Sequence, residues 1–172
     1  MEIRSLKEAD DRSGFRCGDP DLDRFLQRFS GQNQFRHHIG TTYVAVDGGR
    51  ILGYATVAPG QIEIEDMPLA LRRRFPRYPL PVLRLARLAT DESARGKGIG
   101  KALLRFVFTL ALKLATDYGC VGVVVDAKLD AVPFYEGFGF TALEVLEGEL
   151  SARPTPIAMF LSIAEMRAAL RS

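Results

Sequence analysis

The stretch Arg95-Gly96-Lys97-Gly98-Ile99-Gly100 lies between a strand-like run, Val82–Ala89, and a long helical pattern that begins near Gly98. Glycines allow a tight backbone turn and a close approach of a ligand to the main chain. The start of the following helix offers unpaired N–H groups and the positive end of the helix dipole. The stretch therefore predicts an anion site, with a pyrophosphate as the expected ligand.

The spacing of the glycines excludes two common nucleotide loops. The NTP-binding loop requires Gly-Lys-Ser/Thr, but Gly98 follows Lys97. The dinucleotide fingerprint requires Gly-x-Gly-x-x-Gly, whereas the glycines here stand at 96, 98 and 100. The pattern that remains is Arg/Gln-x-x-Gly-x-Gly/Ala.

Composition indicates a single compact domain, residues 1–172, with a substantial core, because 47% of its 172 residues are hydrophobic. Two cysteines, Cys17 and Cys120, are too few for a disulfide framework or a zinc site. The N-terminus opens no apolar signal segment, and the most apolar helical run, Phe106–Ala115, is interrupted by Lys113. A cytoplasmic protein with no membrane segment is expected.

Periodicity predicts an α/β fold in which a mixed, mostly antiparallel central sheet is flanked by helices. Asp19-Pro20 is typical of a helix start, and Gly31 is expected to end or bend that helix. Asp47-Gly48-Gly49 predicts a hairpin. The other predicted elements are strands at Thr41–Val46, Arg50–Val57, Gln61–Glu65, Val82–Ala89, Cys120–Val125 and Ile157–Leu161, a short helix at Pro68–Phe75, an extended loop at Pro76–Pro81, a helix opened by Pro133, and a C-terminal helix capped by Ser162.

The glycine run and its surroundings resemble the GNAT superfamily of acetyl-CoA-dependent N-acetyltransferases. Arg95, Gly98 and Gly100 match the superfamily's loop, and Ala131–Phe140 is similar to its Ala-x-x-Phe-Tyr-x-x-x-Gly-Phe element. The resemblance implies that the donor is acetyl-CoA and that no metal is needed. It places the donor on the residues Leu88, Ala89, Thr90, Arg95, Gly96, Lys97, Gly98, Ile99, Gly100 and Lys101. Lys97 and Lys101 could instead be solvated, with only main chain in contact.

Tyr135 is the candidate catalytic residue within the second element. A buried tyrosine with one hydrogen bond is the structural alternative. The resemblance implies that Tyr135 faces the thioester sulfur and acts as general acid to the departing thiolate. It also implies that a backbone N–H near Leu88 or Ala89 polarises the thioester carbonyl.

Six arginines and no acid occur between positions 72 and 87, although the net charge is only +2. Acids concentrate elsewhere, for example in Glu144–Glu149. The cluster is either a solvated face or a surface for a polyanion. The candidates for RNA contact are Arg72, Arg73, Arg74, Arg77 and Arg84. Strand alternation could turn the sixth, Arg87, inward to a carboxylate. The adjacent His37 and His38 are expected at the surface.

A narrower resemblance covers almost the whole chain. Phe15–Gly18, Leu22–Leu26, Thr42–Ala45 and Arg87–Ala89 are similar to the acetyltransferase toxins of type II toxin–antitoxin systems. This implies acetylation of the α-amine of the amino acid on charged tRNA, a block of translation, a ribbon-helix-helix antitoxin, a homodimer, and no DNA binding by the chain on its own. The alternative is a GNAT enzyme that acts on a small-molecule amine or a protein N-terminus.

Overall fold

A computed structural model describes residues 1–143 and 156–172. Its seven strands form one sheet in the order β1-β2-β3-β4-β5-β7-β6, and the pairs β1/β2, β2/β3, β5/β7 and β6/β7 are antiparallel. The predicted fold class, α/β with a mixed and mostly antiparallel sheet, is confirmed. The strands are β1 (Glu2–Ser5), β2 (Thr41–Asp47), β3 (Arg50–Ile62), β4 (Leu80–Thr90), β5 (Gly122–Ala127), β6 (Thr141–Ala142) and β7 (Ile157–Ser162).

Five α-helices accompany these strands in the described residues. The long amphipathic pattern after the glycines forms the longest of them, with 19 residues. Short 3₁₀ turns occur at Ile64–Asp66, Glu92–Ala94 and Leu129–Ala131. The helices are α1 (Pro20–Arg24), α2 (Leu69–Arg72), α3 (Ile99–Asp117), α4 (Val132–Glu136) and α5 (Ile163–Arg171).

The chain divides into two compact units. The first comprises Met1–Ala58 and Leu85–Thr109, and the second comprises Pro59–Arg84 and Leu110–Ser172. The predicted acidic run Glu144–Glu149 lies outside the described residues.

In the first unit, the predicted hairpin joins β2 to β3. Asp47 pairs with Arg50, and Gly48 and Gly49 adopt φ values of +57° and +79°, as a two-residue turn of this type requires. A glycine is also needed at position 53 of β3. A Cβ there would lie 2.8 Å from Ile99 Cγ2 and 2.9 Å from Ala89 O, so its absence lets the start of α3 pack closely on the strand.

The N-terminal helical region of the first unit is longer than predicted. Asp19 caps α1 by accepting hydrogen bonds from the N–H groups of Asp21 and Leu22, as expected. The helical backbone then continues through two π-helical turns, Phe25–Phe29 and Gln32–Arg36, so Gly31, which was expected to end or bend the helix, does not end it. Gly31 instead makes room for Arg12, whose Nη1 would lie 2.7 Å from a Cβ at that position.

In the second unit, β5 pairs with β7 from Gly122↔Ser162 to Ala127↔Ile157. The apolar run of β5 is buried on both faces, as the sequence predicts, although the strand begins at Gly122 rather than at Cys120. At the end of β7, Ser162 accepts a hydrogen bond from the Glu165 N–H and caps α5. The predicted capped C-terminal helix is confirmed.

The region before β4 differs from its prediction in two ways. Gln61–Glu65 is not a separate strand, because β3 continues to Ile62 and the chain then forms a 3₁₀ turn. The loop expected over Pro76–Pro81 ends earlier, since β4 already begins at Leu80. Pro81 can lie near a strand end because its missing N–H costs only one ladder hydrogen bond, while its carbonyl accepts from the Val121 N–H at 2.9 Å. Pro68 precedes a helix of one turn, Leu69–Arg72, shorter than the predicted Pro68–Phe75.

Candidate active site

The C-terminal end of β4 in the first unit is fixed by Asp91, the first residue after the strand. Its N–H donates to Leu52 O at 2.8 Å, and its side chain is buried. One carboxylate oxygen accepts from the Arg16 N–H at 2.8 Å. The other accepts from the Ser93 N–H at 3.1 Å and from Arg50 Nη2 at 3.3 Å. This network sets the direction in which the chain enters the glycine run.

The same contacts determine the ionisation of Asp91. Burial by itself would raise the pKa of the carboxyl group, but the hydrogen bonds from Ser93 and Arg16 and the charge of Arg50 outweigh it and hold the pKa below its ordinary value. The group is therefore a carboxylate near neutral pH, which is the form that all of these donors require.

The N-terminal segment that carries the narrower resemblance is attached to this loop. Glu92 donates its N–H to Arg16 O at 2.7 Å, and Arg95 donates from Nη2 to Cys17 O at 2.6 Å. Gly18, with φ of +95°, permits the second contact, because a Cβ there would lie 2.6 Å from Arg95 Nη2. The Arg95 guanidinium thus holds two segments of the first unit together, and it lies 3.9 Å from Glu92.

The glycine run forms an open turn at the start of α3. Gly96 and Gly98 have φ values of +76° and +77°, and no heavy atom lies within 4 Å of a Cβ built on either residue. The first helical hydrogen bond runs from the Ala102 N–H to Gly98 O at 3.0 Å, so the N–H groups of residues 99–101 lie in the first turn, where the helix offers no acceptor. The Ile99 side chain is buried and anchors the turn.

The ten residues predicted to bind the donor all lie in the first unit. Leu88 and Thr90 are partly exposed on β4, and Ala89 between them is buried. Lys97 and Lys101 are exposed, so their charges are available to a ligand and are also solvated without one.

Tyr135 lies in the second unit, on the short helix α4. Its side chain is buried between the rings of Phe134 and Phe140, with ring centroids at 5.2 Å and 5.4 Å in edge-to-face geometry. Burial raises the pKa of the Tyr135 hydroxyl to about 12. The hydroxyl therefore stays protonated at every pH at which the fold is expected to work, as a proton donor must.

The predicted RNA-contacting arginines belong to the second unit and differ in their contacts. Arg72 is committed to the backbone, because it donates to Met67 O at 2.8 Å and to Glu65 O at 2.7 Å. Arg84 forms a half-exposed ion pair with Asp126 at 3.1 Å. The remaining three are exposed at Arg73, Arg74 and Arg77. Arg72, Arg73 and Arg77 line a cavity of about 540 Å³ together with Ile64, Glu65 and Phe75.

Arg87, on β4, could belong to the exposed arginine cluster or turn inward to a carboxylate, and the structure shows it against an aromatic ring. It lies in the first unit, and its guanidinium carbon stands 3.6 Å from the centre of the Phe25 ring. Within residues 1–143 and 156–172 it forms no ion pair, so the expected inward carboxylate is not found in the described part of the chain. His37 and His38 are exposed, as predicted.

Comparison with known proteins identifies the family. A model described as "Acetyltransferase (GNAT) domain" matches residues 38–142, more than half of the chain. The chain belongs to the GNAT acetyltransferases. It is 33% identical over 138 residues to the tRNA-acetylating toxin of Mycobacterium tuberculosis. This match covers 80% of this chain and 82% of the toxin.

Two solved structures extend the comparison to the fold. AtaT in complex with acetyl-methionyl-tRNAfMet has a TM-score of 0.82 at 25% identity, and the match covers 97% of each chain. A tyrosine-to-phenylalanine mutant of the AtaT toxin, bound to acetyl-CoA and the C-terminus of the antitoxin AtaR, has a TM-score of 0.78 at 25% identity over 99% of this chain and 98% of that one.

As a GNAT enzyme the chain is an acetyl-CoA-dependent N-acetyltransferase. The glycine loop fits this donor, because its open positive-φ glycines and first-turn N–H groups suit the pyrophosphate of coenzyme A. The described residues contain no group of three or more His, Cys, Asp or Glu side chains that could hold a metal ion. None of their helices is both long and apolar enough to cross a bilayer.

Two residues that position the glycine loop were not predicted from the sequence, Asp91 and Gly18. Asp91 immediately follows a strand and precedes Ser93 by two positions, a spacing typical of a side-chain-capped turn. Gly18 carries no sequence signal for its role, since the partner that requires it, Arg95, lies 77 positions away.

Proposed function

We propose that this GNAT acetyltransferase transfers the acetyl group of acetyl-CoA to the α-amine of the amino acid on charged tRNA. The observation that carries the proposal is the likeness to a tRNA-acetylating toxin over four fifths of both chains. The structural likeness to AtaT, which has been solved with acetyl-methionyl-tRNAfMet, supports the same acceptor.

The donor is held by the first unit in this proposal. The loop backbone from Arg95 to Gly100 holds the pyrophosphate, and the side chain of Arg95, Lys97 or Lys101 adds positive charge around it. The backbone of Leu88, Ala89 and Thr90 pairs with the amide-bearing pantetheine arm as a strand edge would. A backbone N–H near Leu88 or Ala89 stabilises the negative charge that develops on the acyl oxygen.

Tyr135 supplies the proton that completes the transfer. Acetyl-CoA contributes an acyl group that is activated as a thioester. As the C–N bond forms and the C–S bond breaks, the Tyr135 hydroxyl donates its proton to the departing thiolate sulfur and regains one from solvent. Its raised pKa, about 12, keeps the donor protonated before each turnover.

The acceptor amine needs little help from a base. An α-amino group titrates at about 7.7–8.0 in a peptide, so a substantial fraction is already neutral near pH 7.5. A lysine side chain, with a pKa of about 10.4, would require a strong base beside it. After the neutral amine attacks, its nitrogen carries one proton too many, and that proton leaves to water while a backbone carbonyl can accept a hydrogen bond from the N–H.

The arginines of the second unit contact the RNA in this proposal. Arg73, Arg74 and Arg77 offer exposed charges to the RNA. Arg72, directly before them, and Arg84, seven positions after Arg77, are the other two proposed RNA contacts. RNA helices are recognised mainly by shape and backbone, which requires such clustered cations rather than a high net charge.

The cellular setting follows from the acceptor. We propose a cytoplasmic, homodimeric toxin consisting of one GNAT domain over residues 1–172, which blocks translation by capping the amines of charged tRNA. An antitoxin is its expected partner, because AtaT has been solved with its antitoxin, and we expect the ribbon-helix-helix type from the resemblance to the acetyltransferase toxins. AtaT has also been solved with that antitoxin on DNA, and we expect any DNA contact here to come from the antitoxin.

The proposal is tested by incubating the protein with labelled acetyl-CoA and total charged tRNA. Mild alkaline release of the label as an N-acetyl amino acid, identified by mass spectrometry, is the expected result. Free amino acids, polyamines and peptides with free N-termini serve as competing acceptors in parallel reactions. Label on these acceptors, with charged tRNA unmodified, would contradict the proposal.

A further inference from the structure

The side chain of Arg87 has an unusual environment for an arginine on a sheet strand. It is half-buried, and its guanidinium lies flat enough on Phe25 to bring the guanidinium carbon within 3.6 Å of the ring centre. At this distance the cation interacts with the face of the ring, and the guanidinium also has a planar set of N–H donors that can bind an acceptor.

The ring beneath Arg87 is itself fixed. Phe25 is buried and stacks on Tyr54 with ring centroids at 6.2 Å, and Phe15 packs on Tyr54 in edge-to-face geometry at 5.5 Å. The Tyr54 hydroxyl donates to Leu22 O at 2.7 Å. These contacts therefore hold the Phe25 ring, against which the guanidinium lies, in place before any ligand arrives.

No carboxylate among the described residues pairs with this guanidinium. Asp23, the nearby acid on α1, instead accepts the Cys17 N–H at 2.8 Å. Arg87 and Asp23 both lie close enough to Tyr54 to affect its pKa. Burial raises the pKa of Tyr54, the charge of Arg87 lowers it, and the charge of Asp23 raises it further. A partly desolvated arginine that lies against an aromatic ring and has no ion pair is a candidate site for an external anion.

We propose that Arg87, stacked on Phe25, binds a phosphodiester of the single-stranded 3′ end of the acceptor. This inference rests on the proposed function. The amino acid in that acceptor is esterified and carries no free carboxylate, so the phosphodiesters beside it are the only anions near the reacting amine. Arg87 directly precedes Leu88, the first of the strand residues proposed to hold the pantetheine arm, which places it near the reacting end of both substrates.

The role differs from that of the arginines in the second unit. Exposed cations attract any RNA backbone and make the affinity for RNA depend on the salt concentration. A single guanidinium fork binds one phosphate of the 3′ end bidentately, so it determines the position of the amine and adds affinity only for RNA that carries the single-stranded 3′ end. Arg87 is a positioning residue in this proposal, and it takes no part in proton transfer.

The test compares two acceptors that differ by one phosphodiester. Both are 3′-aminoacylamino-adenosines carrying the amino acid found in the labelled product, and one also bears a 5′-methyl phosphodiester. We expect Arg87→Met to lower kcat/KM for the phosphodiester-bearing acceptor by about 10- to 100-fold and to leave the phosphate-free acceptor within about twofold. Acetyl-CoA affinity, measured by calorimetry, should not change.

Arg87→Lys separates the phosphate contact from a merely structural role. Lysine keeps the charge and the cation–π contact with Phe25 but lacks the planar fork. It should retain the wild-type melting temperature and still lose most of the discrimination between the two acceptors. Equal losses on both acceptors, a loss of acetyl-CoA affinity, or full discrimination in Arg87→Lys would each overturn the proposal.

A binding measurement keeps this result distinct from a failure of the proposed function. An uncharged RNA minihelix ending in single-stranded CCA is titrated against the wild-type and Arg87→Met proteins, alongside a blunt-ended minihelix. Weaker binding of Arg87→Met to the CCA-ended minihelix alone supports the phosphate site even where no charged tRNA is acetylated. Identical binding of both proteins to both minihelices overturns it, even where acetylation of charged tRNA is confirmed.

Discussion

The carboxylate of Asp91 accepts the backbone N–H of Arg16 at 2.8 Å, across 75 positions of sequence. The return contact, from the Glu92 N–H to Arg16 O at 2.7 Å, makes the connection double. The end of β4 and the N-terminal segment are thereby joined immediately before the glycine run. The stretch Phe15–Gly18, which resembles the acetyltransferase toxins, is thus hydrogen-bonded to the turn that precedes the glycine run.

Asp91→Asn should destabilise the protein, with a loss that depends on pH. The asparagine keeps the shape but loses the charge that accepts from Arg50 and from two N–H groups, which costs about 2 kcal/mol. Because the folded pKa of Asp91 lies below its ordinary value of 3.8, the carboxylate contributes its stability above that value and loses it as the pH falls through the folded pKa. In urea unfolding, the loss of unfolding free energy relative to wild type should be complete at pH 7 and smaller near pH 3.

Asp117→Asn is the matched control, because Asp117 is exposed at the end of α3. It should leave the free energy of unfolding within about 0.5 kcal/mol of wild type at both pH values. An Asp91→Asn deficit that is equally large at pH 3 and pH 7 would show that shape, and not charge, holds the loop.

Tyr135→Phe should lower kcat by about 100- to 10,000-fold and leave acetyl-CoA affinity unchanged, because it removes a proton donor without opening the packing. The raised pKa, about 12, has a second consequence. With a stable amide-linked acceptor, kcat of the wild type should show no descending limb up to pH 10, where a tyrosine of ordinary pKa would be half ionised.

Tyr118→Phe is the control for this prediction, since Tyr118 is 88% exposed and belongs to the same unit. It should match the wild type in rate and pH profile. A Tyr135→Phe enzyme with more than a tenth of wild-type kcat would remove Tyr135 from the role of general acid.

The sequence predicts the elements whose signals are local. Spacing alone predicts the Asp19 cap, the Gly48-Gly49 turn and the Ser162 cap, because each depends on residues within four positions. It does not predict that Gly31 lies under Arg12, that Pro81 belongs to a strand, or that Arg87 stacks on Phe25. These three features depend on residues that only the fold brings close together. At Gly31 and Pro81, the tertiary contacts decide the local structure in place of the usual preferences of glycine and proline.

Gly98→Ala should weaken acetyl-CoA binding about tenfold, because a non-glycine residue resists the φ of +77° and its methyl group enters the open face of the turn. Gly49→Ala provides a close control. Gly49 has φ of +79° and equally open surroundings, but it lies in the β2–β3 hairpin. Both variants should lose about 1 kcal/mol of stability, and only Gly98→Ala should lose affinity in calorimetry. Equal affinities would show that the glycine run does not hold the donor.

Arg72→Ala and Arg73→Ala should affect different properties, although the residues are adjacent. Arg72 donates to Glu65 O and Met67 O, and its loss should cost about 2 kcal/mol of unfolding free energy. Arg73 is exposed, so its loss should change stability by less than about 0.5 kcal/mol. In filter binding to tRNA, Arg73→Ala should reduce the slope of log affinity against log salt by about 0.7–0.9, the value for one lost phosphate contact. An unchanged slope in Arg73→Ala and in Arg74→Ala would assign the arginine cluster to a solvated face rather than to RNA.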